Sequence, residues 1–275
     1  MSRDKARQRV HATQDGKERG PVMDLEDRTV LVTGANRGLG ASLVDVALDR
    51  GAAKVYAAAR DPESLAGAAE RSGGRVVPVR LDVTRPEQIE AAATTGDVDL
   101  LISNAGITSQ APILAAPDIG DFRRTMEVNY FGSMLLLRAF AEQLRQRRGG
   151  VIMILSVAAV SLSRSAPAYS ASKAAALMLG SSVREELREH GVAVTVSLPG
   201  WIDTEMAAGL AAEKATPREV AERSVDGHLA GDDVVWPDRF ATLVRTQVDT
   251  GMLDLLSRPR AVMNTLAAEF AGGSR

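Results

Sequence analysis

Thr29-Val30-Leu31-Val32-Thr33-Gly34-Ala35-Asn36-Arg37-Gly38-Leu39-Gly40 decides the fold. Its first five residues are β-branched or apolar and read as a buried strand. Its glycines follow at once, and a helical pattern runs from Leu39 to Asp49 and closes at Gly51. Gly34 permits a tight turn, Gly38 a close approach of backbone to a pyrophosphate, and Gly40 close packing of the helix. The start of that helix offers unpaired N–H groups and the positive end of its dipole to an anion. A glycine pattern alone is weak, and it can also be an ordinary tight turn. Here it joins a strand to a helix, the context that a dinucleotide-binding loop requires.

Similar apolar runs recur along the chain. They are Lys54 to Ala59, Val76 to Leu81, Val98 to Ser103, Val151 to Ser156 and Val192 to Leu198. Helical patterns separate them, most clearly Asp118 to Arg147 and Pro167 to Glu189, the latter followed by His190-Gly191 as a left-handed cap. Alternating strands and helices predict an α/β protein, a doubly wound parallel sheet of Rossmann type in three α/β/α layers. We expect one such domain over residues 25–275. Residues 1–24 are polar, without apolar periodicity, and are expected to be disordered, with Met23 a candidate true start.

Composition excludes several functions. Its 33 basic and 35 acidic side chains nearly cancel, so no field draws the chain to nucleic acid or an anionic membrane. There is no cysteine, hence no thiolate nucleophile, disulfide or cysteine metal site. His11, His190 and His228 are widely spaced, which argues against zinc, and no metal is expected. No apolar run approaches the roughly 20 residues that span a bilayer, and the start lacks a signal-peptide pattern, so a cytoplasmic location is expected.

The end of the second strand chooses between cofactors. An acidic residue there would take a ribose 2′-hydroxyl; the chain instead has Ala59-Arg60, with Arg37 in the glycine loop. Two guanidinium groups suit a 2′-phosphate through charge-assisted bonds, which predicts NADP(H). Asp61 stands one residue late and is a possible partner for Arg60. The competing reading is two solvated surface arginines.

Tyr169-Ser170-Ala171-Ser172-Lys173 is the central chemical signal. Tyr169 and Lys173 are four apart in a predicted helix and share one face. An ammonium near a phenol favours the phenolate and lowers its pKa, as general acid–base work requires. Ser156 ends the fifth strand, at the sheet edge where ligands of open α/β sheets bind. Taken singly, the tyrosine reads as packing and the lysine as a solvated charge.

Together with the glycine loop, these residues resemble the short-chain dehydrogenase/reductase family in its shorter single-domain branch. The likeness runs from about Asp27 to Met206. Leu81-Asp82-Val83 looks like the adenine-contacting segment, and Asn104-Ala105-Gly106 like the motif after the fourth strand, although Ser103 stands where the family more often has Asn. Asn129 matches the asparagine of the long helix. Pro199-Gly200-Trp201-Ile202-Asp203-Thr204 looks like the Pro-Gly motif that holds the nicotinamide. The resemblance implies a cofactor site of Gly34, Asn36, Arg37, Gly38, Leu39, Gly40, Arg60, Asp82, Val83, Asn104, Ala105, Gly106, Tyr169, Lys173, Pro199, Gly200, Ile202 and Thr204. It implies catalysis by Asn129, Ser156, Tyr169 and Lys173: hydride transfer between NADP(H) and a small-molecule carbonyl or secondary alcohol, with Tyr169 as proton donor. Lys173 would lower the tyrosine pKa and bind ribose, Ser156 would polarise the oxygen, and Asn129 would hold a relay water.

Beyond Thr204 the likeness fades. Glu205 to Leu229 is expected to be a substrate lid whose Met206 and Leu210 suit an apolar or amphipathic carbonyl compound, although helix packing explains them equally. Asp233-Val234-Val235-Trp236 reads as a shortened seventh strand, and Phe240 to Phe270 as a helical extension in place of the family's usual ending. That predicts a homodimer or differently built oligomer rather than the common tetramer. Two other readings stay open: an alcohol dehydrogenase working mainly in oxidation, and a non-catalytic cofactor sensor on the same fold.

Overall fold

The structure is a computed structural model that describes residues 23–163, 165–257, 265, 266 and 268. The expected disorder of residues 1–22 lies outside them, as does most of the tail after residue 257. Seven parallel strands form one sheet in the order β3-β2-β1-β4-β5-β6-β7. They are β1 (Thr29–Thr33), β2 (Lys54–Ala59), β3 (Val76–Arg80), β4 (Leu100–Ser103), β5 (Gly150–Ile154), β6 (Ala193–Ser197) and β7 (Val234–Val235). β7 is the two-residue strand anticipated from Asp233 to Trp236, paired to β6 through Val196 and Ser197. The order reverses between β1 and β4, whose carboxyl ends therefore open a crevice.

Alternation within single strands builds two cores. Val30 and Val32 of β1 and Ile152 and Ile154 of β5 face one side, while Leu31, Val151 and Met153 face the other. The first side is covered by α1 (Gly38–Asp49) and α7 (Pro217–Leu229), the second by α5 (Gly132–Arg147) and α6 (Pro167–Arg188). Smaller helices are α2 (Ala66–Arg71), α3 (Pro86–Ala93) and α4 (Gly120–Met126), and α8 (Arg239–Ser257) follows β7 with a non-helical break at Gly251. Burial on both faces explains why the strands are near-continuous apolar runs.

Three expectations change. The helix read as continuous from Asp118 to Arg147 is α4 and α5 joined by a π-helical turn at Glu127–Phe131. One wide turn alters the apolar period too little to show in sequence. Glu205 to Leu229 is not one lid. Val220, Ala221 and Val225 of α7 are fully buried against α1, so α7 belongs to the core. Only the loop before it overhangs the cleft, and that loop is pinned at its base, where Ala215 N donates to Trp201 O (2.9 Å) and Asp203 N to Ala215 O (2.9 Å). Finally, the ordered fold reaches back to Met23, whose Sδ lies 3.3 Å from His228 Nε2, and Leu25 is a core residue.

Candidate active site

The carboxyl ends of the strands open into one cleft of about 1180 Å³. Every cofactor-site residue named from sequence lines it, together with Ser156, Tyr169 and Lys173. Asn129 alone lies behind the wall. The volume exceeds the roughly 300–1,000 Å³ of a typical small-ligand pocket.

The glycine loop is held by its neighbours. Gly34 and Gly38 adopt φ of +65° and +52°. A Cβ on Gly40 would lie 1.9 Å from Gly34 O, so only glycine lets α1 start this close to the loop. Thr33 Oγ1 accepts Asn104 N (3.0 Å) and Ala105 N (3.1 Å), and Asn104 Nδ2 donates to Thr33 O (2.8 Å). These bonds lock the β1 and β4 ends together. The first turn of α1 has no side-chain cap, which leaves its N–H groups to an anion. A glycine floor, an uncapped helix start and Arg60 at the end of β2 fit a dinucleotide phosphate.

Two charges differ from expectation. Arg37 is ion-paired with Glu205, the residue after Thr204. Asp61 does not pair with Arg60; its Oδ1 caps the following turn by accepting Glu63 N (3.2 Å). Asp82 is raised by burial, but Thr84 N–H and hydroxyl and the charges of Arg60 and Arg85 outweigh this and hold it below the ordinary carboxylate range.

Tyr169 and Lys173 occupy successive turns of α6, which starts at Pro167, pre-set for a first helical position. Ser156 stands two residues beyond β5. Its Oγ accepts Ala158 N (3.1 Å), and it hydrogen-bonds the Tyr169 hydroxyl. Lys173 is buried, and its Nζ donates to Ile154 O (2.9 Å) while lying 5.6 Å from the Tyr169 ring centre. The expected lowering of the tyrosine pKa by Lys173 is not what the structure gives. Burial pushes the Tyr169 phenol up, opposed only by the Ser156 bond, because the ammonium is turned toward β5. Burial pushes Lys173 down to about 8.

Asn129, in the π-helical turn, donates from Nδ2 to Ile107 O (2.9 Å) and Ser172 Oγ (2.9 Å), and Oδ1 accepts Ile107 N (2.9 Å). Both amide hydrogens are therefore taken by protein. Ser172 in turn donates to Tyr169 O (2.8 Å), so Asn129 positions the tyrosine turn from behind. Sequence reasoning missed Ser172, Thr33, Glu205 and Asp238. The Asp238 carboxylate accepts Gly200 N (2.7 Å) and thereby fixes the Pro199-Gly200 turn.

A parallel sheet with a glycine loop, a tyrosine, a lysine and a serine at its rim is the arrangement of a dehydrogenase or reductase. Residues 28–215 match the family model for short chain dehydrogenase, and the chain belongs to the short-chain dehydrogenase/reductase family. It is 34% identical over 234 residues to 1-deoxy-11-beta-hydroxypentalenate dehydrogenase of Streptomyces exfoliatus, covering 79% of this chain and 83% of that one. It is 31% identical over 200 residues to 3-oxoacyl-[acyl-carrier-protein] reductase FabG of Vibrio cholerae, covering 70% and 81%. A short chain dehydrogenase from Burkholderia cenocepacia, solved in complex with NADP, superposes with a TM-score of 0.81 at 40% identity, covering 86% of this chain and 98% of that one. Among the described residues, no helix is long and apolar enough to cross a membrane, and no group of His, Asp or Glu is placed to hold a metal ion.

Proposed function

We propose that this protein is an NADP(H)-dependent oxidoreductase acting on a carbonyl or secondary alcohol, with Tyr169 as proton donor and acceptor. The observation that carries the reading is the convergence of Ser156, Tyr169 and Lys173 on the cleft that the glycine loop and Arg60 also line. A nicotinamide dinucleotide bound there supplies the hydride. Ser156 and the Tyr169 hydroxyl would bond the reacting oxygen, and the phenol would pass it a proton. Burial favours the protonated phenol, the form that donates. Lys173 would meet the dinucleotide ribose, and Asn129 would hold the tyrosine turn in register. NADP preference is supported by Arg60 and by the NADP-bound Burkholderia structure.

The relatives support either direction, since the Streptomyces one is called a dehydrogenase and the Vibrio one a reductase. Mixing the protein with NADPH and a ketone panel, and with NADP⁺ and the matching alcohols, tests both by absorbance. Binding of cofactor without any turnover would favour the sensor reading instead. The same proposal takes the chain as one catalytic domain in the cytoplasm, working as a homo-oligomer. Phe131 and Met178, exposed apolar side chains, support the association. Sedimentation and cell fractionation test these points.

A further inference from the structure

The cleft that holds Ser156 and Tyr169 also carries a group of apolar side chains. Val157, Leu162, Trp201, Met206 and Leu210 all line it. Trp201 stacks on Phe240 with ring centres 4.3 Å apart and planes within 13°. Phe240 is 2% exposed and belongs to a separate small core with Val157, Val160, Ala241, Val244 and Leu266. That core ties the turn after Ser156 to α8. Asp238 presets the stack: one carboxylate oxygen accepts Gly200 N (2.7 Å), next to Trp201, and the other accepts Ala241 N (2.8 Å), next to Phe240. The aromatic wall is therefore built before any ligand arrives.

Part of this lining is hydrocarbon left uncovered. Leu162, Met206 and Leu210 are 40%, 52% and 43% exposed, and all three line this cleft. Exposed apolar side chains gathered in one cleft mark a binding surface rather than ordinary solvent contact. Two serines of the same lining already bond within the protein. Ser161 Oγ donates to Val157 O (2.8 Å), and Ser163 N donates to Ser170 Oγ (3.0 Å). Ser156 and Tyr169 line the same cleft as these apolar side chains.

We infer that the second reactant is a bulky, ring-bearing hydrocarbon ketone or secondary alcohol, held with its one oxygen at Ser156 and Tyr169 and its ring face on Trp201. Trp201, backed by Phe240, is the specificity-determining wall, and Leu162, Met206 and Leu210 cover the ring edges. This rests on the oxidoreductase reading. In the reductive direction the carbonyl carbon gains hydride from NADPH and its oxygen gains the Tyr169 proton, which solvent restores, giving secondary alcohol and NADP⁺. A polyol or sugar-acid ketone would have to strip its hydroxyls of water against the hydrocarbon of Leu162, Trp201, Met206 and Leu210, which disfavours it.

The test uses the full chain with NADPH and four ketones: 2-decalone, cyclohexanone, hydroxyacetone and 5-ketogluconate. The expected kcat/KM falls in the order decalone, cyclohexanone, hydroxyacetone, with at least about a 10-fold drop from first to last. Trp201→Ala should lower the decalone to hydroxyacetone ratio by about 10-fold or more, and Trp201→Phe should hold it within about threefold. NADPH binding, followed by fluorescence, reports whether each variant is folded. Preference for 5-ketogluconate or hydroxyacetone overturns the inference while leaving the oxidoreductase reading standing. So does an unchanged ratio in a Trp201→Ala protein that still binds NADPH. Binding of NADPH with no ketone reduced and no matching alcohol oxidised overturns both.

Discussion

Arg37, in the glycine loop, is ion-paired with Glu205, the residue that follows Thr204 across the mouth of the cleft. Both side chains are well exposed, so the pair is weak and easily exchanged. It nevertheless sets a carboxylate beside a guanidinium assigned to a phosphate. Glu205→Gln should therefore tighten NADPH binding about two- to fivefold, with a smaller gain for NADH, measured by fluorescence titration. Weaker NADPH binding in this variant would mean that Glu205 holds Arg37 in its working position rather than competing for it.

Cofactor choice follows from the same corner. Arg60 sits at the end of β2, and no acidic residue precedes it in Lys54–Ala59. Steady-state kinetics should show roughly a 10- to 100-fold preference for NADPH over NADH. Arg37→Ala combined with Arg60→Ala should raise the KM for NADPH and barely move that for NADH, with an effect that shrinks as salt rises. Equal efficiency with both cofactors in the unaltered protein would contradict the assignment.

Tyr169→Phe keeps the ring and removes the proton. Turnover should drop by at least about 10²-fold, while NADPH affinity and melting temperature stay close to those of the parent. Lys173→Ala should lose as much turnover and also weaken NADPH binding. Parent-like turnover in Tyr169→Phe would reassign the proton donor.

What was legible in the sequence is what depends on local order. The strand-to-helix glycine loop, the four-residue step from Tyr169 to Lys173 and the place of Arg60 after β2 are short-range patterns, and the cleft brings these residues together. The partners of these residues are long-range. Arg37 and Glu205 are 168 positions apart, Asn129 and Ser172 are 43, and Gly200 and Asp238 are 38. No periodicity encodes such pairs, since they exist only once helices have docked on the sheet. The direction of the Tyr169 shift is long-range for the same reason. Spacing puts Lys173 on the right face, but the Ile154 carbonyl that holds its Nζ comes from another element.

Burial lowers Lys173 from its ordinary 10.5 to about 8. Its cation is thus present below that pH and lost as pH rises through it, well before an exposed lysine would titrate. A dinucleotide carries negative charge and binds the cationic form better, so NADPH affinity should hold up to about pH 8 and fall as pH rises beyond it. Lys173→Met should flatten that profile. A parent profile flat to pH 9 would show that Lys173 keeps its charge in the folded protein.

His228 gives the last prediction. Thr195 Oγ1 donates its one hydrogen to Asp232 O (2.7 Å), so at 2.9 Å it accepts from Nδ1–H of His228. That leaves Nε2 as the site for a second proton, facing Met23 Sδ at 3.3 Å and so close to Gly150 that a Cβ there would lie 2.3 Å away. A thioether sulfur is only a weak acceptor, and burial pushes the pKa from 6.5 down to about 4. As pH falls below 6.5 the unfolded chain takes up a proton that the folded chain refuses until about 4, so stability declines across that window. The decline should total roughly 3 kcal/mol. His228→Asn retains a donor for Thr195 but cannot titrate; it should start less stable at neutral pH, from the space left behind, and show a shallower fall toward pH 4. Urea unfolding at several pH values between 7 and 4 measures both slopes. Equal slopes in the two proteins would assign the acid lability to buried carboxylates such as Asp99, which Thr29 N and Arg147 hold ionised.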